Sequence, residues 1–233
     1  MADASIADSG VLIVCGLKRE AQAFAGPNAL SVCGYGPTLR SKLNELADCP
    51  LRMVVSFGMC GGLDPALHRG AIVLGTEVVS GGESVIPDTA LTQALKRRLL
   101  ACGERPIFGR IADSDAPVLT CEGKSALRAT TGAAAVDMES FAAGLFAKSR
   151  RAPFVILRAV NDPAQRDLPP LALAAVDPAG GVHVGAVIRE LIRSPSQLPG
   201  LIAAAIDSAA AIRALRRCSG LGGSFPDLLL PHL

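Results

Sequence analysis

The chain has 233 residues, half of them hydrophobic and only 3% aromatic, with no Trp and a formal net charge of +2. That length accommodates one large α/β domain with a full core, which here must be built from Ala, Val, Leu and Ile. A charge so near balance argues against nucleic acid as a partner, and seven Cys at scattered positions with no CxxC pair read as reduced thiols of a cytosolic protein.

Residues 1–10 are polar and acidic, which excludes a signal peptide and predicts a disordered tail. Val11 to Gly16 is a short apolar strand closing on glycine, and Lys18 to Ala25 follows as a helical turn or two. Val32 to Gly36 reads as a second strand turning on glycine, and Pro37 suits the first position of a helix reaching Ala47. Met53 to Phe57 is a buried strand feeding a glycine-rich turn, Gly58-Met59-Cys60-Gly61-Gly62. The pattern continues with a strand over Ala71 to Val79 that runs toward a loop at Gly81-Gly82, a helix over Thr89 to Cys102 and a strand over Ile107 to Ala112. A helix over Glu122 to Thr131, a strand over Ala133 to Met138, a helix over Glu139 to Arg151 and a strand over Phe154 to Val160 complete it. This alternation predicts a single-domain, three-layer α/β sandwich around a twisted, mostly parallel mixed sheet.

Residues 162–181 carry Pro163, Pro169, Pro170 and Pro178 and read as a loop, either a lid or a surface connector. Residues 182–217 keep helical spacing in two amphipathic stretches separated at Ser194-Pro195, whose apolar stripes are read as core cover. Residues 219–233 are an apolar tail. No apolar run reaches the roughly 18 residues of a membrane span, with Asp207 interrupting the longest, although the mean hydropathy of +0.39 is high.

The most informative stretches are Ala134 to Ser140 and Leu157 to Asp162, each of which places a carboxylate just past a run of small and β-branched apolar residues. Residues at the C-terminal ends of such strands project into the crevice where open α/β sheets bind ligands. Two acids delivered there point to sugar and leaving-group chemistry. Glu139 and Glu20 read either as site acids or as first-turn carboxylates favoured by a helix dipole. Asp162 reads as a site acid or as the cap of a turn before Pro163. Arg158, inside a strand pattern, is expected to pair with a buried carboxylate. Gly58, Gly61 and Gly62 read as a turn whose backbone N–H groups line a site for an anion or a sugar, or as a tight turn alone. No GK[ST] follows, so this is not a Walker loop. Leu39 takes the third glycine position after Gly34 and Gly36, so the dinucleotide fingerprint also fails, while Gly34-Tyr35-Gly36 still suits an anion at the next helix start. Asp113 and Asp115, flanking Ser114, read as a turn or as site lining. His68, His183 and His232 have no partner spacing and receive no role.

Taken in order, Cys15-Gly16-Leu17-Lys18-Arg19-Glu20, Cys33-Gly34-Tyr35-Gly36, Ser56-Phe57-Gly58-Met59-Cys60-Gly61-Gly62-Leu63, Ser114-Asp115-Ala116, Val136-Asp137-Met138-Glu139 and Arg158-Ala159-Val160-Asn161-Asp162 resemble the purine nucleoside phosphorylase / methylthioadenosine nucleosidase superfamily. Ser56 to Val79, Ser114 to Val118 and Leu191 to Pro199 look like the hopanoid-associated phosphorylases within it, which are assigned to removing adenine from adenosylhopane. The resemblance implies a nucleoside phosphorylase-like fold and cleavage of an N-glycosidic bond. Asp162 would be the general acid at N7 of the purine, since partial protonation turns adenine into a better leaving group. Glu139 would clamp the ribose hydroxyls, with Met138 packed on the sugar, and Glu20 would position the attacking water. Asn161 and the backbone near Val118 would contact the base, and Gly58, Met59, Gly61 and Arg158 would line the substrate site.

Two departures stand out. Met59 replaces the small hydroxyl residue that helps to bind phosphate or water, which weakens inorganic phosphate as a co-substrate, while Lys18, Arg19 and Arg40 offer part of an anion site. Pro117 stands near where an aromatic stacks on adenine. The resemblance implies no metal and no organic cofactor. It implies a homo-oligomer, and a cytoplasmic location with peripheral contact to the inner face of a membrane if the nucleoside is hopanoid-linked. The other readings are a salvage enzyme for methylthioadenosine or adenosine and, from a different class, a non-catalytic nucleoside-binding or scaffold protein.

Overall fold

The computed structural model describes residues 10–24, 29–170, 179–181 and 194–219. The expected tail over residues 1–9, residues 171–178 of the Pro-rich segment, the first C-terminal helix over residues 182–193 and the apolar tail from residue 220 onward lie outside them, as do His183 and His232.

The elements in chain order are β1 (Val11–Cys15), α1 (Lys18–Ala23), β2 (Ala29–Cys33), α2 (Gly36–Asn44), β3 (Met53–Gly62), β4 (Ile72–Ser80) and β5 (Glu83–Val85). They continue with α3 (Thr89–Ala101), β6 (Ile107–Asp113), α4 (Cys121–Thr131), β7 (Ala135–Asp137), α5 (Ser140–Ser149), β8 (Phe154–Asp162), a 3-10 turn at Pro195–Gln197 and α6 (Leu198–Ser219). One eight-stranded sheet runs in the order β2-β1-β3-β7-β6-β4-β5, with β8 paired to both β3 and β4. The β3–β7, β4–β8 and β4–β5 pairings are antiparallel and the others parallel. The sheet is therefore mixed, and β3, β8, β4, β6 and β7 are bonded in a closed circuit.

Helices cover both faces because alternate residues of the apolar strands point to opposite sides. Val11 and Ile13 of β1, Val55 and Phe57 of β3 and Val155 and Leu157 of β8 pack on one face against Phe24 at the end of α1, against Leu91, Leu95 and Leu99 of α3, and against Ala211, Leu215 and Cys218 of α6. Phe24 meets Phe57 edge to face at 5.2 Å, an arrangement worth about 0.5–1.5 kcal/mol beyond its buried area. Leu12, Val14, Val54 and Ile156 face the other way, onto Leu39 and Leu43 of α2 and Phe141, Phe146 and Ala147 of α5.

Three expectations need correction. The glycine-rich turn after Phe57 does not exist: β3 continues through Gly62 and pairs with β8 as far as Gly61 opposite Asp162. The glycines are there for close approach. A Cβ on Gly58 would lie 2.7 Å from Nη1 of Arg158, and one on Gly61 would lie 3.1 Å from Val136. The second strand occupies Ala29–Cys33, ahead of the glycines. The loop at Gly81 and Gly82 is followed by a strand that the sequence pattern does not predict: with φ of 55° and 86° the two glycines form the two-residue turn of a β4–β5 hairpin.

Asp207 interrupts the apolar sequence without keeping the C-terminal helix from the length and hydropathy of a membrane span. α6 spans 22 residues with a mean hydropathy of 1.5, long and apolar enough by those measures alone to cross a membrane. Asp207 is instead buried and paired with Arg69 at 3.3 Å and with Arg166, while Ala211, Ile212, Ala214, Leu215 and Cys218 sit in the core. The helix thus covers the sheet. Its first half exposes Leu198, Ile202 and Ile206 at four-residue spacing.

Candidate active site

Arg158, in the middle of β8, has no exposed surface and organises one half of the site. Its Nε lies 2.7 Å from Oδ2 of Asp137 at the end of β7, and its Nη1 lies 3.0 Å from Oε2 of Glu139. Nη2 donates to the hydroxyls of Ser56 (2.6 Å) and Ser140 (3.1 Å), and Nη1 donates to the carbonyl of Met59 at 3.3 Å. Asp137 in turn accepts the N–H groups of Glu139 (3.2 Å) and Ser140 (3.0 Å), and the Ser140 hydroxyl donates to it as well. These bonds fix the chain as it turns from β7 into α5, where Glu139 is the residue preceding the first helical turn.

Glu20, in α1, accepts the N–H of Leu17 at 2.7 Å and the N–H of Met59 at 2.8 Å. The backbone of Gly16 bridges the two glutamates: a Cβ there would stand 2.6 Å from Oε1 of Glu139 and 3.5 Å from Oε2 of Glu20. Three buried carboxyl groups thus surround one guanidinium, and a single cation cannot hold three carboxylates ionised in a dry interior. Burial pushes Glu139 up to about 8 against the pull of Arg158, with Asp137 and Glu20 adding repulsion. Burial also raises Glu20, against its two backbone donors and Arg158. Arg158 is held above its ordinary range: burial acts to lower it, and Asp137, Glu139 and Glu20 outweigh that.

The other half of the site is built on Asp162, the last residue of β8. Its Oδ2 lies 2.7 Å from Nζ of Lys124, which has no exposed surface. Lys124 also donates to the carbonyls of Pro163 (3.0 Å) and Arg166 (2.8 Å), so all three ammonium protons are used. Burial raises Asp162 above the usual carboxylate range, opposed first by Lys124. Asn161 donates to Asp162 Oδ1 at 3.3 Å and accepts from Ser208 at 2.8 Å. Ser208 accepts from Arg19 at 2.9 Å. Arg19 and Ser208 both reach the Met59 sulfur at 3.9 Å, so the Met59 side chain is seated toward α6.

The candidate residues therefore fall around β3. Gly58 lies under Arg158 and Glu20, Met59 supplies an N–H to Glu20, and Gly61 approaches Asp162 Oδ2. Met138 is half-buried and lines a small cavity with Gly36, Arg40, Asp113, Ser114 and Asp115. Asp113 accepts from Ser80 at 2.9 Å and is raised by burial, so it belongs to that wall rather than to a free turn. Val118 packs on the cluster of Leu63, Ala112, Ala133 and Val136. The N–H of Gly34 donates to the Cys15 carbonyl at 3.0 Å and is not free for an anion, whereas Gly36 faces open space at the start of α2. Among the described residues no group of three His, Cys, Asp or Glu side chains is placed to hold a metal ion.

Sequence reasoning missed Lys124, Asp137, Ser56 and Ser140. Asp137 had a signal, because an Asp three residues before Ser140 has the spacing of a side chain that caps backbone N–H groups. Ser56 lies in an apolar run and Lys124 in an amphipathic helix, and neither pattern marks a site.

Comparison with known proteins places the chain in a family and its fold among solved structures. The profile of the Phosphorylase superfamily matches residues 21–193. A 5'-methylthioadenosine/S-adenosylhomocysteine nucleosidase of Shewanella denitrificans is 31% identical over a match covering 50% of this chain, and that match spans only 59% of the relative's own length. Among solved structures, the Helicobacter pylori 5'-methylthioadenosine/S-adenosylhomocysteine nucleosidase complexed with a substituted pyrrolidin-3-ol superposes with a TM-score of 0.63 at 14% identity, covering 90% of this chain and 97% of that one. The Neisseria meningitidis nucleosidase in complex with methylthio-immucillin-A gives 0.62 at 21% identity, covering 91% and 99%. Futalosine hydrolase of Helicobacter pylori gives 0.59 at 14% identity, covering 65% and 87%. These structural likenesses establish the fold.

Proposed function

The chain belongs to the Phosphorylase superfamily, and from that premise we propose that it cleaves the N-glycosidic bond of a purine nucleoside and releases adenine. The observation that carries this reading is the set of three buried acids, each raised by burial, with Glu20 against Gly58 and Asp162 against Gly61 of β3 and Glu139 beside Glu20 across Gly16.

In this reading Asp162, whose hold on a proton burial strengthens against the pull of Lys124, donates that proton to N7 of the base as the bond to the sugar breaks, so adenine departs neutral. Lys124 then faces the carboxylate that remains. Glu139, anchored by Arg158, accepts from the ribose hydroxyls and orients the sugar as positive charge develops on it. Glu20, aimed by the N–H groups of Leu17 and Met59, takes the proton of the water that captures the sugar. No cofactor takes part. With Met59 in place of a hydroxyl residue, water is the favoured nucleophile over phosphate.

For the substrate we infer adenosylhopane. The support is the likeness of the sequence stretches Ser56 to Val79, Ser114 to Val118 and Leu191 to Pro199 to the hopanoid-associated phosphorylases. The exposed Leu198, Ile202 and Ile206 suit burial against a second copy of the chain, and the reading includes a homo-oligomer.

The test is adenine release, followed by chromatography, from adenosylhopane in detergent, from adenosine and from methylthioadenosine, each with and without phosphate. Release from adenosylhopane alone, independent of phosphate, is expected. Release only from the small nucleosides assigns the enzyme to salvage. Asp162→Asn is expected to keep the fold and to lose turnover, and persistent activity in it removes the role given to Asp162.

A further inference from the structure

β1 and β2 end on a matched pair of cysteines. The two strands are parallel, and Cys15 is in register with Cys33. In-register partners on neighbouring parallel strands point to the same face, with backbones about 4.8 Å apart. That spacing falls inside the 4.4–6.8 Å that a disulfide spans between Cα atoms. The Sγ atoms are already 3.2 Å apart, within hydrogen-bonding reach of each other. Cys15 is buried and Cys33 is partly open to solvent.

The two thiols differ in chemistry. The hydrogen bond from Cys15 holds Cys33 below the ordinary thiol range, helped by Lys42 and Lys18 and opposed by burial and Glu20. Lys42 is anchored there, its Nζ 2.6 Å from the Cys33 carbonyl. Cys15 is pushed the other way by the same hydrogen bond, by burial and by Cys33, Glu20 and Glu139. One accessible sulfur with thiolate character beside one enclosed thiol is the arrangement of an attacking and a resolving cysteine.

We propose that Cys15 and Cys33 form an oxidisable dithiol that a peroxide converts to a disulfide beside the carboxyl cluster. The Cys33 thiolate attacks one peroxide oxygen, breaks the O–O bond and becomes a sulfenic acid as the other oxygen leaves as hydroxide, which takes up the proton that the Cys33 thiol released and becomes water. The Cys15 sulfur then attacks Cys33, an S–S bond forms, and the sulfenic oxygen leaves as a second water with the Cys15 proton. Two thiols and one hydrogen peroxide thus become one disulfide and two waters.

The consequence for the site follows from chain connectivity. Gly16, the next residue after Cys15, is wedged against Glu139 and Glu20, and the Cys15 carbonyl accepts from Gly34 at 3.0 Å. Closing the sulfurs from contact to a bond of about 2.05 Å draws both strand ends together and shifts Gly16 relative to the two glutamates. This effect on turnover rests on the functional reading above, whereas the cross-link itself does not.

The experiment treats the full chain with hydrogen peroxide and maps its peptides without reduction. The expected result is a Cys15–Cys33 cross-link, lighter by two hydrogens and reversed by dithiothreitol, that forms at least tenfold faster than oxidation of the exposed Cys102. Cys33→Ser is expected to abolish the cross-link, and Cys33→Ala serves if the serine variant folds poorly. Cys15 and Cys33 remaining thiols while Cys102 oxidises, or Cys33 over-oxidising without joining Cys15, overturns the proposal. Adenine release is expected to fall at least tenfold in the cross-linked protein and to return on reduction; unchanged release in fully cross-linked protein overturns the link to the carboxyl cluster. An absence of release from every nucleoside before treatment instead counts against the functional reading, because the cross-link is scored by mass alone.

Discussion

Lys124 and Asp162 form an ion pair of 2.7 Å in which the lysine is wholly enclosed and the aspartate nearly so. The pairing sets two demands against each other: an acid that must carry a proton is pushed up by burial and pulled down by the ammonium beside it. Lys124 also grips the carbonyls of Pro163 and Arg166, so it ties the chain that leaves β8 to α4. One side chain thus sets both the position of Asp162 and its readiness to give up a proton.

Lys124→Met keeps the length of the stem and removes the charge. It leaves Asp162 buried without its cation, a change that costs about 3–5 kcal/mol when one partner of an enclosed pair is deleted. Asp162 is expected to rise further, so the alkaline limb of kcat/KM moves to higher pH, with kcat reduced on the order of 10-fold or more. Urea titration and a pH profile of adenine release measure the two effects separately, and an unmoved alkaline limb shows that Lys124 acts only on structure.

Glu139 makes stability depend on pH in a definite direction. Its unfolded value is near 4.5 and burial raises it to about 8 in the folded protein. The folded state therefore binds the proton more tightly than the unfolded chain does, and stability falls as pH rises through that window. The contribution is fully present below about 4.5 and is lost above about 8. Glu139→Gln, which cannot ionise, is expected to flatten this part of the curve. Urea midpoints collected across the window test it, and a slope unchanged by the substitution places the titration elsewhere.

The alternation of apolar runs with helical spacing made the layers readable, because β1, β3, β4, β6, β7 and β8 announce themselves by small and β-branched residues, whereas β5, only Glu83–Val85, carries no such run. What misled was glycine. Gly58, Gly61 and Gly62 look like a turn in one dimension, yet they lie in a strand, cleared of side chains so that Arg158, Val136 and Asp162 can approach. That requirement comes from β8 and β7, roughly a hundred residues downstream, and no local pattern carries it. The burial of Lys124 has the same origin, since its partners Asp162, Pro163 and Arg166 come from the far side of β8. Arg158 was legible because a cation inside an apolar strand demands a buried acid, although which acid it takes depends on the β7–α5 junction.

Arg158→Lys keeps the charge and removes the fork. The guanidinium reaches Asp137, Glu139, Ser56 and Ser140 at once, between 2.6 and 3.1 Å. An ammonium is a compact charge on a flexible stem and cannot meet four partners in that plane. A loss of about 3–5 kcal/mol is expected, as for a broken buried pair, against about 1 kcal/mol for Ser56→Ala, which removes one hydroxyl. Chemical denaturation of the two variants beside the parent decides it; equal losses show that the fork is not what holds the cluster.

Gly58→Ala probes the same cluster from below. The added methyl would stand 2.7 Å from Nη1 of Arg158 and 3.0 Å from Oε1 of Glu20, inside the closest approach of real side chains. Gly58 has no positive φ, so alanine costs nothing in backbone conformation and the whole effect comes from displacement of those two groups. Overpacking of this kind costs about 1–3 kcal/mol, which a domain of this size survives. Turnover is expected to suffer more than stability, because the methyl displaces Glu20 and loosens its bond from the Met59 N–H. A fall in kcat of about 100-fold with a thermal midpoint lowered by only a few degrees is the expected outcome. Retained turnover in a folded Gly58→Ala protein means that Glu20 need not hold this position for the reaction.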